Sequence, residues 1–170
     1  MISKVTSDIE RDIELRPAGD IDGASLRRHV IDAWGSESVV AHDERIYPAR
    51  APGFVAMEGD RIVGHISYRI SGELCEISSI EATRRHAGIG SRLLEATLDE
   101  ARKARCSKAW LTTTNDNLDA LRFYQRRGFR LVALRPGAVD RARSTLKPEI
   151  PAIGGHGIPM TDEIDLETEL

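Results

Sequence analysis

The ten residues RHAGIGSRLL (Arg85 to Leu94) open the clearest helical pattern in this chain. From Gly88 to about Arg105, apolar residues recur at helical spacing along one face. The first turn of a helix carries unpaired N–H groups and a partial positive charge, and it therefore attracts anions. Gly88 and Gly90 remove two Cβ atoms at that point, and Arg85 adds a positive charge. The residues therefore predict a phosphate site at the start of this helix.

Two familiar phosphate-binding motifs do not match this segment. A dinucleotide-binding fingerprint has a third glycine where this chain has Leu93. A Walker loop ends in Gly-Lys-Ser/Thr, and the lysine is missing from Gly88-Ile89-Gly90-Ser91. A nucleotide-binding interaction domain is therefore disfavoured. Taken alone, the two glycines are equally consistent with a plain turn.

A second pattern follows the helix. Ala109 to Thr114 is apolar and β-branched, which is typical of a buried strand. Asn117 to Arg127 is then helical, with Gly128 at its C-cap, and Phe129 to Leu134 predicts another strand. Such alternation of strands and helices implies crossover connections and some parallel pairing.

Both patterns together resemble the GNAT family of N-acetyltransferases. Its acetyl-CoA-binding motif reads Arg/Gln-x-x-Gly-x-Gly/Ala between a strand and a helix, as Arg85 to Gly90 does. Its second motif, Asn-x-x-Ala…Tyr…Gly-Phe, matches Asn117-Leu118-Asp119-Ala120, Phe123-Tyr124 and Gly128-Phe129. The resemblance covers about Leu74 to Leu134, the last five predicted elements before the C-terminal region.

The first half of the chain fits the same family. It predicts a strand over Asp12 to Pro17, a helix over Asp20 to Trp34, a short helix or loop up to Pro48, and a hairpin over Phe54 to Ile70. The resemblance then implies an α/β (α+β) fold in a single domain, residues 1–170. Its central sheet would be mixed and mostly antiparallel, with about seven strands flanked by helices.

Two segments stand apart from this domain core. Residues 1–11 are polar, and residues 136–160 form an insertion, rich in proline and glycine, before a final predicted strand from Asp162 to Leu170. In the family this corner lies near the acceptor pocket, so the insertion implies a specialised acceptor site or a subunit contact. An exposed edge at the final strand would favour a homodimer, although pairing within the chain stays open.

Composition narrows the function classes. The 170 residues carry 24 Lys and Arg against 27 Asp and Glu without a basic stripe, so we expect no nucleic-acid partner. We find no long apolar run and no secretory pattern, so we expect a cytoplasmic protein without membrane contact. Cys75 and Cys106 have no ligand residues at metal-binding spacing, so we expect reduced structural cysteines and no metal.

The resemblance assigns binding of the acyl donor, acetyl-CoA, to a defined set of residues. It implies that the backbone at Ile80 polarises the thioester carbonyl. It also implies that Asn117 binds the pantetheine arm while capping its own helix. The full implied cofactor-binding set is Ile80, Arg85, His86, Ala87, Gly88, Ile89, Gly90, Ser91 and Asn117.

Tyr124 has two interpretations. Its helical spacing with Leu118 and Leu121 favours a tyrosine that packs a helix face. The resemblance implies instead that its phenol is the general acid that protonates the leaving thiolate.

A carboxylate is the expected base, because an alkyl amine is protonated at neutral pH. Glu76 and Glu81 are the candidates on the predicted strand, and both are equally consistent with solvated strand-edge carboxylates. In a regular strand Glu76 shares a face with Ser78 and Ile80, which favours Glu76. Glu81 would face the other way unless the strand bulges, as the family's fourth strand tends to.

The predicted activity is acetylation of a small-molecule or peptide amine by direct attack on the thioester. Several basic residues hint at an anionic acceptor, although a solvated helix face explains them better; they are Arg135, Arg141, Arg143 and Lys147. His42 and Tyr47 lie in the segment that walls the acceptor pocket in the family. The alternative from a different class is a non-catalytic acyl-CoA-binding module of the same fold.

Overall fold

A seven-stranded sheet forms the centre of the computed structural model, which describes residues 13–83 and 88–170. The strands of the chain are β1 (Ile13–Pro17), β2 (Val39–Ala41), β3 (Glu44–Ile46), β4 (Gly53–Glu58), β5 (Arg61–Ser71), β6 (Leu74–Ala82), β7 (Lys108–Thr114), β8 (Arg130–Arg135) and β9 (Glu163–Glu169). The sheet order is β1-β4-β5-β6-β7-β9-β8, and β2 pairs with β3 as a separate hairpin. Among the described strands only β6 and β7 run parallel, which confirms the predicted mixed, mostly antiparallel sheet.

Four α-helices flank the sheet. They are α1 (Gly23–Trp34), α2 (Ile89–Lys103), α3 (Leu118–Gln125) and α4 (Ala138–Thr145). Side chains cap two of them: Asp22 accepts a hydrogen bond from the Ser25 amide, and Asn117 accepts one from the Ala120 amide. The first three helices agree with the predicted positions.

Two elements differ from the sequence-based expectation. The segment before Pro48 contains the β2–β3 hairpin rather than a helix or a plain loop, and the insertion contains α4. Each hairpin strand has only three residues, too few for alternation to mark it. The turn between them uses positive φ at His42 and Asp43, 52° and 57°, as a tight hairpin turn requires.

The main core lies on one face of the sheet, beneath α2 and α3. Apolar side chains from both helices meet those of the strands, among them Ile66, Ile77, Leu93, Leu94, Leu111, Tyr124, Phe129 and Leu166. A smaller cluster fills part of the other face, where Leu26 of α1 packs with Ala18, Val55 and Met57. The remainder of that second face, called the polar face below, carries polar side chains that include His65, Glu76, Glu81 and Asp165.

The final strand is not an edge strand. β9 lies between β7 and β8 and pairs with both, so it pairs within its own chain. The exposed edge on this side is β8 instead, and an extra residue, Val132, bulges its pairing with β9. The edge that we expected at the C-terminal strand is therefore corrected to β8.

Candidate active site

Two glycines shape the start of α2. Gly88 has φ = 72°, a left-handed conformation that costs other residues about 1 kcal/mol or more. Ile89 turns its side chain into the core and is only 1% exposed. A Cβ on Gly90 would lie 3.4 Å from Cε2 of Phe123, which is van der Waals contact, so α3 lies directly beside the first turn of α2. The helix start is thus held between the core and α3.

Part of the predicted phosphate site lies outside the described residues. This holds for Arg85, His86 and Ala87, whose roles stay predictions. The described part begins at Gly88 and includes Ser91 in the first turn of α2.

A guanidinium group that the sequence analysis missed lies beside this helix start. The Cζ atom of Arg127 is 3.7 Å from the centre of the Phe123 ring. Arg127 donates one hydrogen bond to the Phe123 carbonyl, at 2.8 Å, and another to the Ser91 hydroxyl. Burial and the neighbouring Arg126 charge lower the pKa of Arg127. The spacing of four residues between Phe123 and Arg127 was the available signal.

A cleft opens between β6 and β7. The two strands pair only over Leu74 to Ile77 on β6 and Lys108 to Leu111 on β7. Beyond this point β6 runs on to Ala82, and β7 runs on to Thr114 paired with β9 alone. No strand among the described residues pairs with the freed edge of β6. Ile80, the predicted carbonyl-polarising position, lies in this free part.

A bulge at Ser78 changes which residues share a face of β6. Ser67 of β5 pairs with Ser79, but the next residue, Tyr68, pairs with Ile77, so Ser78 is extra. Ile77 and Ile80 consequently both pack with the main core. The expectation that Glu76 shares a face with Ser78 and Ile80 is therefore wrong.

Glu76 and Glu81 both lie on the face opposite that core. Glu76 pairs across the sheet with Arg69, which donates two hydrogen bonds to its Oε2 atom at 2.6 and 3.0 Å. Arg69 also donates to Glu44 of β3, and its hydrogen bonds to Glu44 and Glu76 raise its pKa. Glu76 is therefore tied to the β2–β3 hairpin through one guanidinium group.

Glu81 forms a close pair with a histidine of α1. Its Oε1 atom lies 2.6 Å from Nε2 of His29, and both side chains are nearly buried. His65, directly across the sheet from Glu81, is fully buried, and neither ring nitrogen has a hydrogen-bond partner among the described residues. Burial, with a smaller effect of His29, lowers the pKa of His65 to about 4.

A second polar group occupies the same face on β7 and β9. His42 places Nε2 3.0 Å from Oδ1 of Asp165 and packs edge-on against Trp110, with ring centres 5.2 Å apart. Arg135 and Thr112 also donate to the Asp165 carboxylate. Burial opposes the ionisation of Asp165, but the hydrogen bonds from Arg135, Thr112 and His42 outweigh it and lower its pKa.

Sequence analysis overlooked Asp165, although a signal was present. Alternation in the last strand puts Glu163, Asp165 and Glu167 on one face. Glu163 and Asp165 both pair with Arg135, so this arginine is neutralised.

Tyr124 lies inside the main core. Its side chain is 3% exposed and meets Phe123 and Phe129 edge-on, with ring centres 5.1 and 5.2 Å away. Burial raises the pKa of its phenol above the usual value. These contacts agree with the packing interpretation, and they leave the predicted acid role a prediction.

The 136–160 segment is hydrogen-bonded to the region of the β2–β3 hairpin. Lys147 is buried and donates to the Ser38 carbonyl, and Arg45 donates to the Leu146 carbonyl. Arg143 donates to the carbonyls of Ile150, Pro151 and Met160. These cations, like Arg135, are bound within the protein. Arg141, the fourth cation behind the expectation of an anionic acceptor, is exposed, so that expectation stays a prediction.

Among residues 13–83 and 88–170, no helix is both long and apolar enough to cross a membrane. Within the same ranges, no three acidic, histidine or cysteine side chains converge as metal ligands. Cys75 and Cys106 are buried and unpaired, as predicted for structural cysteines.

Comparison with solved structures places this fold among acetyltransferases. A Bacillus subtilis acetyltransferase in complex with CoA shares 23% identity, with 93% of this chain and 97% of that one covered and a TM-score of 0.72. A GNAT acetyltransferase from Elizabethkingia anophelis with acetyl-CoA bound shares 22% identity over 94% of this chain and 99% of that one, with a TM-score of 0.68.

Sequence comparison is more specific. The Bacillus subtilis (strain 168) protein YdhI is 40% identical over 132 residues, which are 77% of this chain and 82% of YdhI. YxbD of the same strain is 38% identical over 152 residues, 89% of this chain and 92% of YxbD. The family model described as Acetyltransferase (GNAT) family matches residues 23–129, well over half of the chain. With the cleft and the glycine-led helix already in place, these matches establish that the chain belongs to the GNAT acetyltransferase family.

Proposed function

We propose that this protein transfers the acetyl group of acetyl-CoA to an amine by direct attack. The observation that carries the proposal is the cleft, where the pairing of β6 and β7 stops at Ile77 and Leu111. An unpaired strand edge offers N–H and C=O groups to the amide units of an extended ligand, much as another strand would. The pantetheine arm of CoA has that character.

The residues around the cleft fit acetyl-CoA. Gly88 and Gly90 open the first turn of α2 to a pyrophosphate, whose negative charge suits the helix end. Asn117 uses its side-chain oxygen to cap α3, which leaves its amide N–H₂ for the pantetheine arm. The free edge at Ile80 would direct a backbone N–H toward the thioester carbonyl.

Acetyl-CoA supplies a thioester carbon, to which the amine nitrogen bonds as the carbon–sulfur bond breaks. Tyr124 would then donate its phenolic proton to the departing sulfur. Burial raises the pKa of the phenol, which makes it a weaker acid, so the role requires the thiolate to form within hydrogen-bond distance of the Tyr124 hydroxyl. Phe123 and Phe129 hold the ring in place from two sides.

We assign the proton acceptor to Glu81 rather than Glu76. Glu76 lies opposite Trp110, where β6 still pairs with β7. Arg69 donates two hydrogen bonds to one oxygen of the Glu76 carboxylate. Glu81 follows Ile80 in the free part of β6. His29, hydrogen-bonded to Glu81, can take part in passing the proton onward.

The amine acceptor would bind on the polar face, between α1 and the β2–β3 hairpin. The side chains of His42 and Trp110 form part of its wall. The Arg69 and Arg135 charges are satisfied by carboxylates, which favours a neutral or cationic acceptor over an anionic one.

Calorimetry with acetyl-CoA tests the donor site. Gly88→Val should abolish tight binding, because a β-branched residue resists a φ of 72°. Gly59→Val is the matched control, since Gly59 also has a positive φ, at the β4–β5 turn, with open space around it. A folded parent that does not bind acetyl-CoA would rule out the transferase.

An acceptor screen tests the chemistry. Release of free thiol from acetyl-CoA is followed with a polyamine, an aminoglycoside, free lysine and a peptide with a free N-terminus. Turnover with one of these amines, and acetylated product by mass spectrometry, would support the proposal. Binding of acetyl-CoA without turnover on any amine would favour the alternative, a non-catalytic acyl-CoA-binding module.

A further inference from the structure

Arg127 holds a positive charge where the fold disfavours one. The N-terminal end of a helix carries a partial positive charge, so a cation there is repelled rather than stabilised. Arg127 nevertheless donates to the hydroxyl of Ser91, in the first turn of α2. Arg102 shows the usual arrangement, because it lies in the last turn of α2, where a helix favours a cation, and it pairs with Asp99.

Within the described ranges, the groups that Arg127 contacts are neutral. They are the Phe123 carbonyl, the Ser91 hydroxyl and the Phe123 ring. No carboxylate among the described residues forms an ion pair with it. The side chain is also exposed, so a ligand can reach it. The described residues therefore provide no anion that would offset the charge of Arg127 and the partial positive charge of the helix end.

The contacts also hold the guanidinium in one place. The centre of the Phe123 ring lies 3.7 Å from its Cζ atom, and a Cβ on Gly90 would lie 3.4 Å from the same ring. One ring therefore joins the glycine of the helix start to the charge. Such pre-organisation reduces the entropy lost when a long side chain binds a ligand.

We propose that Arg127 binds a phosphate group of CoA at the start of α2, together with Ser91. The planar guanidinium matches phosphate oxygens, and a charge-assisted hydrogen bond of this type is among the stronger ones in proteins. This inference rests on the donor site in the proposed function. CoA offers two phosphate sources, the pyrophosphate and the 3′-phosphate of the ribose, with the same chemistry.

Binding of CoA and of 3′-dephospho-CoA, measured by calorimetry at 50 and 500 mM NaCl, tests the inference and separates the sources. The variants are Arg127→Gln, Arg127→Lys and the matched control Arg126→Gln, which removes the adjacent exposed charge. At low salt Arg127→Gln should weaken CoA binding about tenfold. Arg126→Gln should stay within about twofold of the parent, and Arg127→Lys should fall between.

The pattern across ligands and salt then decides. A loss that disappears with 3′-dephospho-CoA assigns Arg127 to the 3′-phosphate, and an equal loss with both ligands assigns it to the pyrophosphate. Either loss should shrink at 500 mM NaCl, because salt screens a charge–phosphate contact and not a packing defect. Equal binding by Arg127→Gln and Arg126→Gln, or a loss unaffected by salt, overturns the inference. Failure of the parent to bind CoA would overturn the proposed function itself.

Discussion

Glu76 and Glu81 occupy an odd spacing on β6 and still face the same side of the sheet. In a regular strand residues at an odd spacing point to opposite faces. The extra residue, Ser78, restores a common face by shifting the pairing with β5 by one position. It does so next to Ile77, where the β6–β7 pairing stops. This local irregularity thus decides the side of the sheet on which the two carboxylates lie, and it lies where the cleft begins.

Tyr124→Phe should lower kcat about a hundredfold and leave the Kd for acetyl-CoA within about twofold. Only the phenolic O–H is removed, and the ring keeps its contacts with Phe123 and Phe129. Steady-state kinetics with the acceptor found in the screen measures the first effect, and calorimetry the second. Tyr68→Phe, another partly buried tyrosine in the core, is the control. An unchanged kcat would assign Tyr124 to packing alone.

Glu81→Gln and Glu76→Gln should have different effects. Glu81→Gln should lower kcat/KM by about a hundredfold, because it removes the proposed proton acceptor. Glu76→Gln should act mainly on the acceptor KM, because Arg69 then loses one of the two carboxylates through which it holds the hairpin. Kinetics over pH 6 to 9 and thermal melts separate the two effects. The opposite ranking of kcat/KM losses would return the role to Glu76.

The buried ring of His65 should make the protein less stable in weak acid. Its pKa is about 4 in the folded state, below the usual 6.5, so between these values the unfolded chain binds the proton and the folded one does not. Stability is therefore complete above about pH 6.5 and falls as the pH drops toward 4, by about 3 kcal/mol at most.

Urea unfolding at pH 7.5, 6 and 5 measures this slope. His65→Phe should flatten it, because the apolar ring cannot titrate. It should also keep stability at pH 7.5, because the ring nitrogens of His65 have no partner to lose among the described residues. The same slope in parent and variant would show that His65 is not the group that titrates.

Lys147→Met should loosen the 136–160 segment from the β2–β3 region. The ammonium group donates to the Ser38 carbonyl in a buried position, where burial lowers its pKa. Its loss leaves that carbonyl without the charged donor, at a cost of about 1 to 3 kcal/mol. Denaturant unfolding measures the change. Lys103→Met is the control, because Lys103 is exposed at the end of α2; equal effects would show that the buried contact contributes nothing.

Local pattern was sufficient for most elements. The apolar stripe of α2, the Asn117 cap and the alternation of β9 predicted their elements within a few residues. It failed for the β2–β3 hairpin, whose strands are too short to show a period. It also failed for Arg127, because nothing in the sequence around residue 127 reveals that Ser91 lies beside it.

Sequence pattern was sufficient to predict the family, the sheet with its helices, and the helix start led by Gly88, because periodicity, caps and glycine geometry act over a few neighbouring residues. The tertiary structure decided which side chains meet on the polar face. Pairing between segments far apart in the chain produces three features: the bulge at Ser78, the Glu81–His29 pair, and the hydrogen bonds that Asp165 accepts. Register and ion pairing are properties of such contacts, and a one-residue shift in register exchanges the two faces of a strand.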